Sequence, residues 1–128
     1  MNPNDILTCY FNQQKKFYQI IHLANGSDEI VTPFVDNLND NISVYLEIVN
    51  DEEIQLSDDG YILNNLELMG VKITEIISDQ VKIICQQYDV TIDSTNELSI
   101  KGAPHDFPSM MVSLISTILK IYGLSLAK

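Results

Sequence analysis

The stretch from Ile42 to Ile48 constrains the fold most, because Ile42, Val44, Leu46 and Ile48 alternate strictly with Ser43, Tyr45 and Glu47. Successive side chains of a strand point to opposite faces, so this pattern is a strand with one apolar and one polar side. An antiparallel sheet covered by helices on one side meets that demand. Turn signals mark its neighbours. Ala24 to Asp28 contains Asn25-Gly26, a strong hairpin turn, between the β-rich runs Phe17 to Leu23 and Glu29 to Phe34. Val35 to Asn41 is a polar loop, and Asn50-Asp51 turns the chain back into Glu53 to Ser57, which gives four antiparallel strands in two hairpins.

Helical spacing takes over on either side. Asn2-Pro3 is a cap followed by proline at the first helical position, and Ile6, Leu7, Tyr10 and Phe11 continue an apolar face, so a helix is predicted from Pro3 to Lys16. After the Asp58-Asp59-Gly60 turn, Ile62, Leu63, Leu66 and Met69 form a short helix capped by Gly70. Ser78 is the expected cap of a helix carrying Val81, Ile84, Cys85 and Tyr88. Thr91 to Asp93 and Glu97 to Ile100 make a small hairpin. Asp106 and Pro108 then open a last helix to Gly123 that buries Met111, Leu114, Ile115, Ile118, Leu119 and Tyr122. The reading is one α+β domain over residues 1–128: an antiparallel sheet of two hairpins plus a small C-terminal hairpin, packed against an N-terminal helix, two middle helices and a C-terminal helix.

Charge separates this chain from most domains of its size, with 18 acidic residues against 7 lysines and no arginine, a net charge of -11. Arginine supplies the planar fork that reads phosphates and guanine edges, and clustered cations are what hold a phosphate backbone, so direct nucleic-acid binding is excluded along with an anionic membrane surface. Between Phe17 and Val71 there are eleven carboxylates and no lysine: Asp28, Glu29, Asp36, Asp40, Glu47, Asp51, Glu52, Glu53, Asp58, Asp59 and Glu67. Because that stretch is the predicted sheet, its turn and outward carboxylates are expected on one side of the domain. No secretory signal opens the chain, Met110 to Ala127 is short for a bilayer span, and Cys9 and Cys85 form no CxxC, so the expectation is a cytoplasmic protein with reduced thiols buried on helical faces.

No catalytic motif stands out. A restriction-type nuclease needs Glu or Asp, one residue, then lysine on a strand, whereas Glu47-Ile48-Val49 ends in valine. Asp36-Asn37-Leu38-Asn39-Asp40-Asn41 resembles a calcium loop but has Leu38 at its third position and Asn41 where glycine belongs. His22 and His105 lack partners at zinc-ligand spacing. No P-loop, GxGxxG or GxSxG occurs, and no cofactor is expected. Asp58-Asp59-Gly60-Tyr61 is a turn in which glycine supplies positive φ and both aspartates face solvent.

The order of Thr32-Pro33-Phe34-Val35-Asp36, the strand Ile42 to Leu46, Leu56-Ser57-Asp58-Asp59-Gly60-Tyr61, Leu66-Glu67, Gly70-Val71 and Asp106-Phe107-Pro108 resembles a family of small proteins of phages and mobile elements in low-GC Gram-positive bacteria, domain of unknown function 1828. The missing arginines depart from typical members in the last third. The resemblance implies a context and no activity. Small acidic proteins of mobile elements act on host nucleic-acid machinery, some by copying the charge of DNA.

The residues support three readings. The first is a non-enzymatic acidic module that binds a basic nucleic-acid-binding protein, including a mobile-element inhibitor of a host defence nuclease, through Asp28, Glu29, Asp36, Asp40, Glu47, Asp51, Glu52, Glu53, Asp58 and Asp59. The second is a metal-dependent nuclease-like domain using Asp36, Glu47 and Asp58. The third is a homodimer built through the C-terminal helix, on which Met110, Val112 and Ile121 add apolar residues beyond the main face.

Overall fold

A computed structural model describes residues 2–127. Its elements are α1 (Pro3–Gln14), β1 (Gln19–His22), β2 (Asp28–Val35), β3 (Asn41–Ile48), β4 (Ile54–Ser57), α2 (Tyr61–Leu68), α3 (Glu75–Gln87), β5 (Thr91–Ile92), β6 (Leu98–Gly102) and α4 (Phe107–Gly123). The fold is α+β, and the strands form one six-stranded sheet in the order β1-β2-β3-β4-β6-β5 with every neighbouring pair antiparallel. The C-terminal hairpin is thus a continuation of the main sheet, because β6 returns to pair with the free edge of β4.

Alternation sets the two faces. Ile30, Thr32, Ile42, Val44, Ile54, Leu56 and Leu98 point to the covered side and are buried. α4 crosses that side against β4, β6, α2 and α3, with Leu114, Ile118 and Ile121 fully buried. The buried stripe of α4 includes Met110, Thr117 and Ile121, while Leu119, expected inside, is exposed. Only Val112 of the three extra apolar positions is left in solvent. The helical segment Pro104–Leu126 is 23 residues long and passes for a bilayer span by length and composition, longer than the sequence reading allowed. Here its apolar stripe faces the sheet.

Local chemistry explains the boundaries. Asn2 caps α1 in a reciprocal box, accepting from the Asp5 amide at 3.0 Å and donating its own amide to Asp5 Oδ2 at 3.4 Å. Lys15–Phe17 then tightens into a 3-10 turn, so β1 starts at Gln19 and not at Phe17. Thr74, not Ser78, caps α3: its hydroxyl accepts from the Ile77 amide at 3.3 Å and puts Glu75 in the first turn. Pro33 sits inside β2 although it has no N–H for the ladder. The register slips there between Val31 and Val35, and the buried Thr32 hydroxyl replaces the missing bonds by donating to the Ile42 carbonyl at 2.7 Å and accepting from the Phe34 amide at 3.2 Å.

Besides Leu119, two expectations of burial fail. Ile48, last of the alternating residues, is 67% exposed although Ile54 opposite it is buried, because β2 ends opposite Leu46 and leaves Ile48 beyond it. α1 buries none of its residues, so Ile6, Leu7, Tyr10 and Phe11 lie open and Cys9 is an exposed thiol, while Cys85 is buried as expected.

Candidate functional site

The side of the sheet away from the helices carries two cross-strand rows: Glu29, Tyr45, Ser57 and Ser99, then Glu47, Gln55 and Lys101. Residues directly opposite on neighbouring strands share a face. The Ser43 hydroxyl donates to Glu29 Oε2 at 2.6 Å and fixes that carboxylate beside Tyr45. Tyr61, first residue of α2, brings its ring to 6.0 Å from that of Tyr45, a spacing suited to a tilted aromatic pair.

Clefts open on both sides of Tyr45. The smaller, about 170 Å³, lies where the β2–β3 turn meets the start of α2 and is lined by Asp36, Asp40, Ser43, Tyr61, Asn65 and Tyr122 among others. The larger, about 300 Å³, runs over the open face below the Asn25–Ser27 turn, lined by Glu47, Gln55, Ser57, Asp59 and Glu97. Burial first, then the charge of Glu29, with Tyr61 and Asp59 adding to it, holds the Tyr45 hydroxyl well above the ordinary phenol range. Burial likewise raises Tyr122, against the Asn65 amide that donates to its hydroxyl at 3.0 Å. Both phenols stay protonated, and the rings stand between carboxylates.

Asp58 is the main correction. The sequence reading put it on the surface; in the fold it is 1% exposed. Its carboxylate accepts the amides of Gly60 at 2.9 Å, Ile62 at 3.0 Å and Leu98 at 2.8 Å, and its own amide donates to the Leu98 carbonyl at 3.1 Å. One side chain therefore caps the start of α2 and clasps it to β6. Asp59 and Gly60 both take positive φ, 56° and 80°, closing the turn with the Tyr61 amide on the Asp58 carbonyl at 3.2 Å. Burial pushes the Asp58 carboxyl up from the usual range, against the three amides that pull it down.

The other acidic residues divide by place, and the single acidic side expected of them divides too. Glu29, Glu47 and Asp59 face the open side or its rim. Asp36 accepts the Leu38 and Asp40 amides at 2.9 and 3.0 Å and so ties its own turn together, and both it and Asp40 line the smaller cleft. Asp51 and Glu52 are exposed at the β3–β4 turn with Glu53 partly buried beside them. Glu67 is exposed on α2. Asp28 falls on the helix side of the sheet, where its carboxylate meets His22 Nδ1. The sequence reading missed Tyr45, Tyr61 and Glu97. Tyr45 was legible as an outward residue of the alternating strand, whereas Glu97 arrives only because β6 pairs with β4.

Asp36, Glu47 and Asp58 do not converge. Glu47 stands on the open face, Asp36 binds its own turn and Asp58 is spent on amides. Among the described residues no group of three or more His, Cys, Asp or Glu side chains is placed to hold a metal ion. The metal-dependent reading therefore loses its ligand set.

The family model for Domain of unknown function DUF1828 matches residues 32–121. Neither the curated proteins nor the solved structures yield a match.

Proposed function

Since the chain belongs to the DUF1828 family, a domain of unknown function, we propose from its surface that it is a non-enzymatic protein-binding module whose open sheet face receives a basic partner. The observation that carries this reading is the Tyr45–Tyr61 pair set between two carboxylate-lined clefts. Tyrosines flanked by charge are the usual anchors of an interface: the rings exclude water at the centre, and carboxylates at the rim steer the encounter and reject acidic competitors. Lys101 is the one cation of the two rows, and it lies across β4 from Glu47.

The partner we propose is a nucleic-acid-binding protein acting in the cytoplasm, because its groove is the basic surface that a chain of net charge -11 fits and that this chain cannot offer to nucleic acid itself. Extended one step, the proposal is a mobile-element inhibitor of a host defence nuclease, with Glu29, Glu47, Asp59 and Glu97 standing where phosphates would lie.

The test is a low-salt capture from host lysate, identification of the bound proteins, and affinity measurement with the purified partner. Binding should weaken steeply with salt and be displaced by DNA or guide RNA. Tyr61→Ala and Glu47→Lys should each weaken it tenfold or more, because both side chains are exposed and neither residue takes a positive φ, so the fold is left intact. Affinity indifferent to salt and to these variants would refute the reading.

A further inference from the structure

We infer that two copies of this chain associate through α1 and the free edge of β1. Ile6, Leu7, Tyr10 and Phe11 form one stripe at helical spacing, with the Tyr10 and Phe11 rings 5.5 Å apart, and α1 buries no residue in the protomer. Phe17 and Ile20 extend the apolar run into the sheet edge, and all six side chains are between 50% and 61% exposed. At about 150–250 Å² for a large side chain, half-exposed, the six present roughly 600 Å² per copy. That is at the upper end of what a lone monomer leaves open, and two facing copies would bury roughly 1,200 Å², the lower bound of a stable specific interface.

Charge and backbone both select a second copy as the occupant. Residues 2–23 carry Asp5 against Lys15 and Lys16, so two chains of net charge -11 meet along this segment without opposing rows of carboxylates. β1 ends the sheet order, and among the described residues no strand lies beside its outer amides and carbonyls. Gln19–His22 contains no lysine or proline to block pairing. A two-fold axis lets the two β1 edges pair antiparallel while the same stripe meets itself, a closed and self-complementary contact.

Sedimentation of the full chain over a micromolar concentration series tests this. The expected result is a species of twice 14.5 kDa, with Leu7→Glu and Phe11→Glu monomeric at unchanged circular dichroism, since both side chains are at least half exposed in the protomer. Val112→Glu, on the exposed side of α4, should leave the dimer intact. Cys9 shares its face of α1 with Asp5 and Gln13, away from the stripe, so a spin label there should report a dipolar coupling between copies that Phe11→Glu abolishes. A wild-type chain that stays monomeric throughout overturns the inference, including the case in which it binds lipid vesicles or another protein through α1. So does a dimer that survives both α1 variants, or one that Val112→Glu dissolves.

Discussion

Replacing Asp58 by alanine should cost the fold about 3 kcal/mol, and the figure follows from where its three amide donors sit. The Gly60 amide is partly exposed and regains water, but Ile62 and Leu98 are 3% and 0% exposed, so their N–H groups are left with no partner. Each orphaned buried donor costs about 1–3 kcal/mol, and removal of a desolvated carboxylate returns part of the sum. With an unfolding entropy of about 2.1 cal/mol/K per residue, a loss of 3 kcal/mol in a chain of 128 residues lowers the melting temperature by about 11 °C. Asp58→Asn keeps one oxygen for Gly60 and Leu98 and turns an amide group towards the Ile62 N–H, so it should fall between wild type and alanine. Urea unfolding followed by circular dichroism reads this as a shift in midpoint at constant slope. Burial raises the Asp58 carboxyl in the folded state above its ordinary value of 3.8, so the native protein holds that proton more tightly than the unfolded chain. Its contribution is therefore full below about 3.8 and is lost as pH rises through the folded value, and the gap between wild type and Asp58→Asn should narrow in that direction. An Asp58→Ala protein within about 0.5 kcal/mol of wild type, the range of surface substitutions such as Glu67→Ala, would refute the clasp.

Thiol chemistry should separate the two cysteines. Cys9 is exposed and should react with a maleimide at once, whereas burial pushes the Cys85 thiol up to about 11 and shields it until the protein unfolds, which mass spectrometry of the labelled chain resolves. Because Cys85, Tyr45 and Tyr122 all ionise later in the fold than in the open chain, their contribution is complete below the unfolded values and lost as pH rises through the folded ones. Stability should fall from about pH 9 upward, with the phenolate absorbance of these two tyrosines appearing only on unfolding. Thr32→Val keeps the shape of a fully buried residue but strips the Ile42 carbonyl and Phe34 amide of their partner, at a cost of about 1–3 kcal/mol in a chemical melt. Each of these expectations is independent of the binding reading.

What the sequence determined by itself was local. The alternation from Ile42 to Ile48, the Asn25-Gly26 turn and the Asn2-Pro3 cap act through residues a few positions apart, so strand, turn and helix were readable from them. Even there, Thr74 displaced Ser78 as the cap of α3 because two hydroxyls competed for one helix start and only the contacts decided. Periodicity told which side of α1 is apolar but not whether anything covers it, since covering depends on how far the helix stands from the core. The fate of charge was equally beyond local reading. Asp58 and Asp59 are adjacent and chemically identical, yet one is enclosed by amides of β6 and α2 and the other borders a cleft, because the return of β6 to the edge of β4 brought Leu98 to Asp58. The same pairing set Glu97 beside Asp59 and Glu47 and made one acidic cleft from residues up to fifty positions apart. Composition and spacing follow the chain, whereas desolvation and the convergence of charges follow the packing of strands and helices in space.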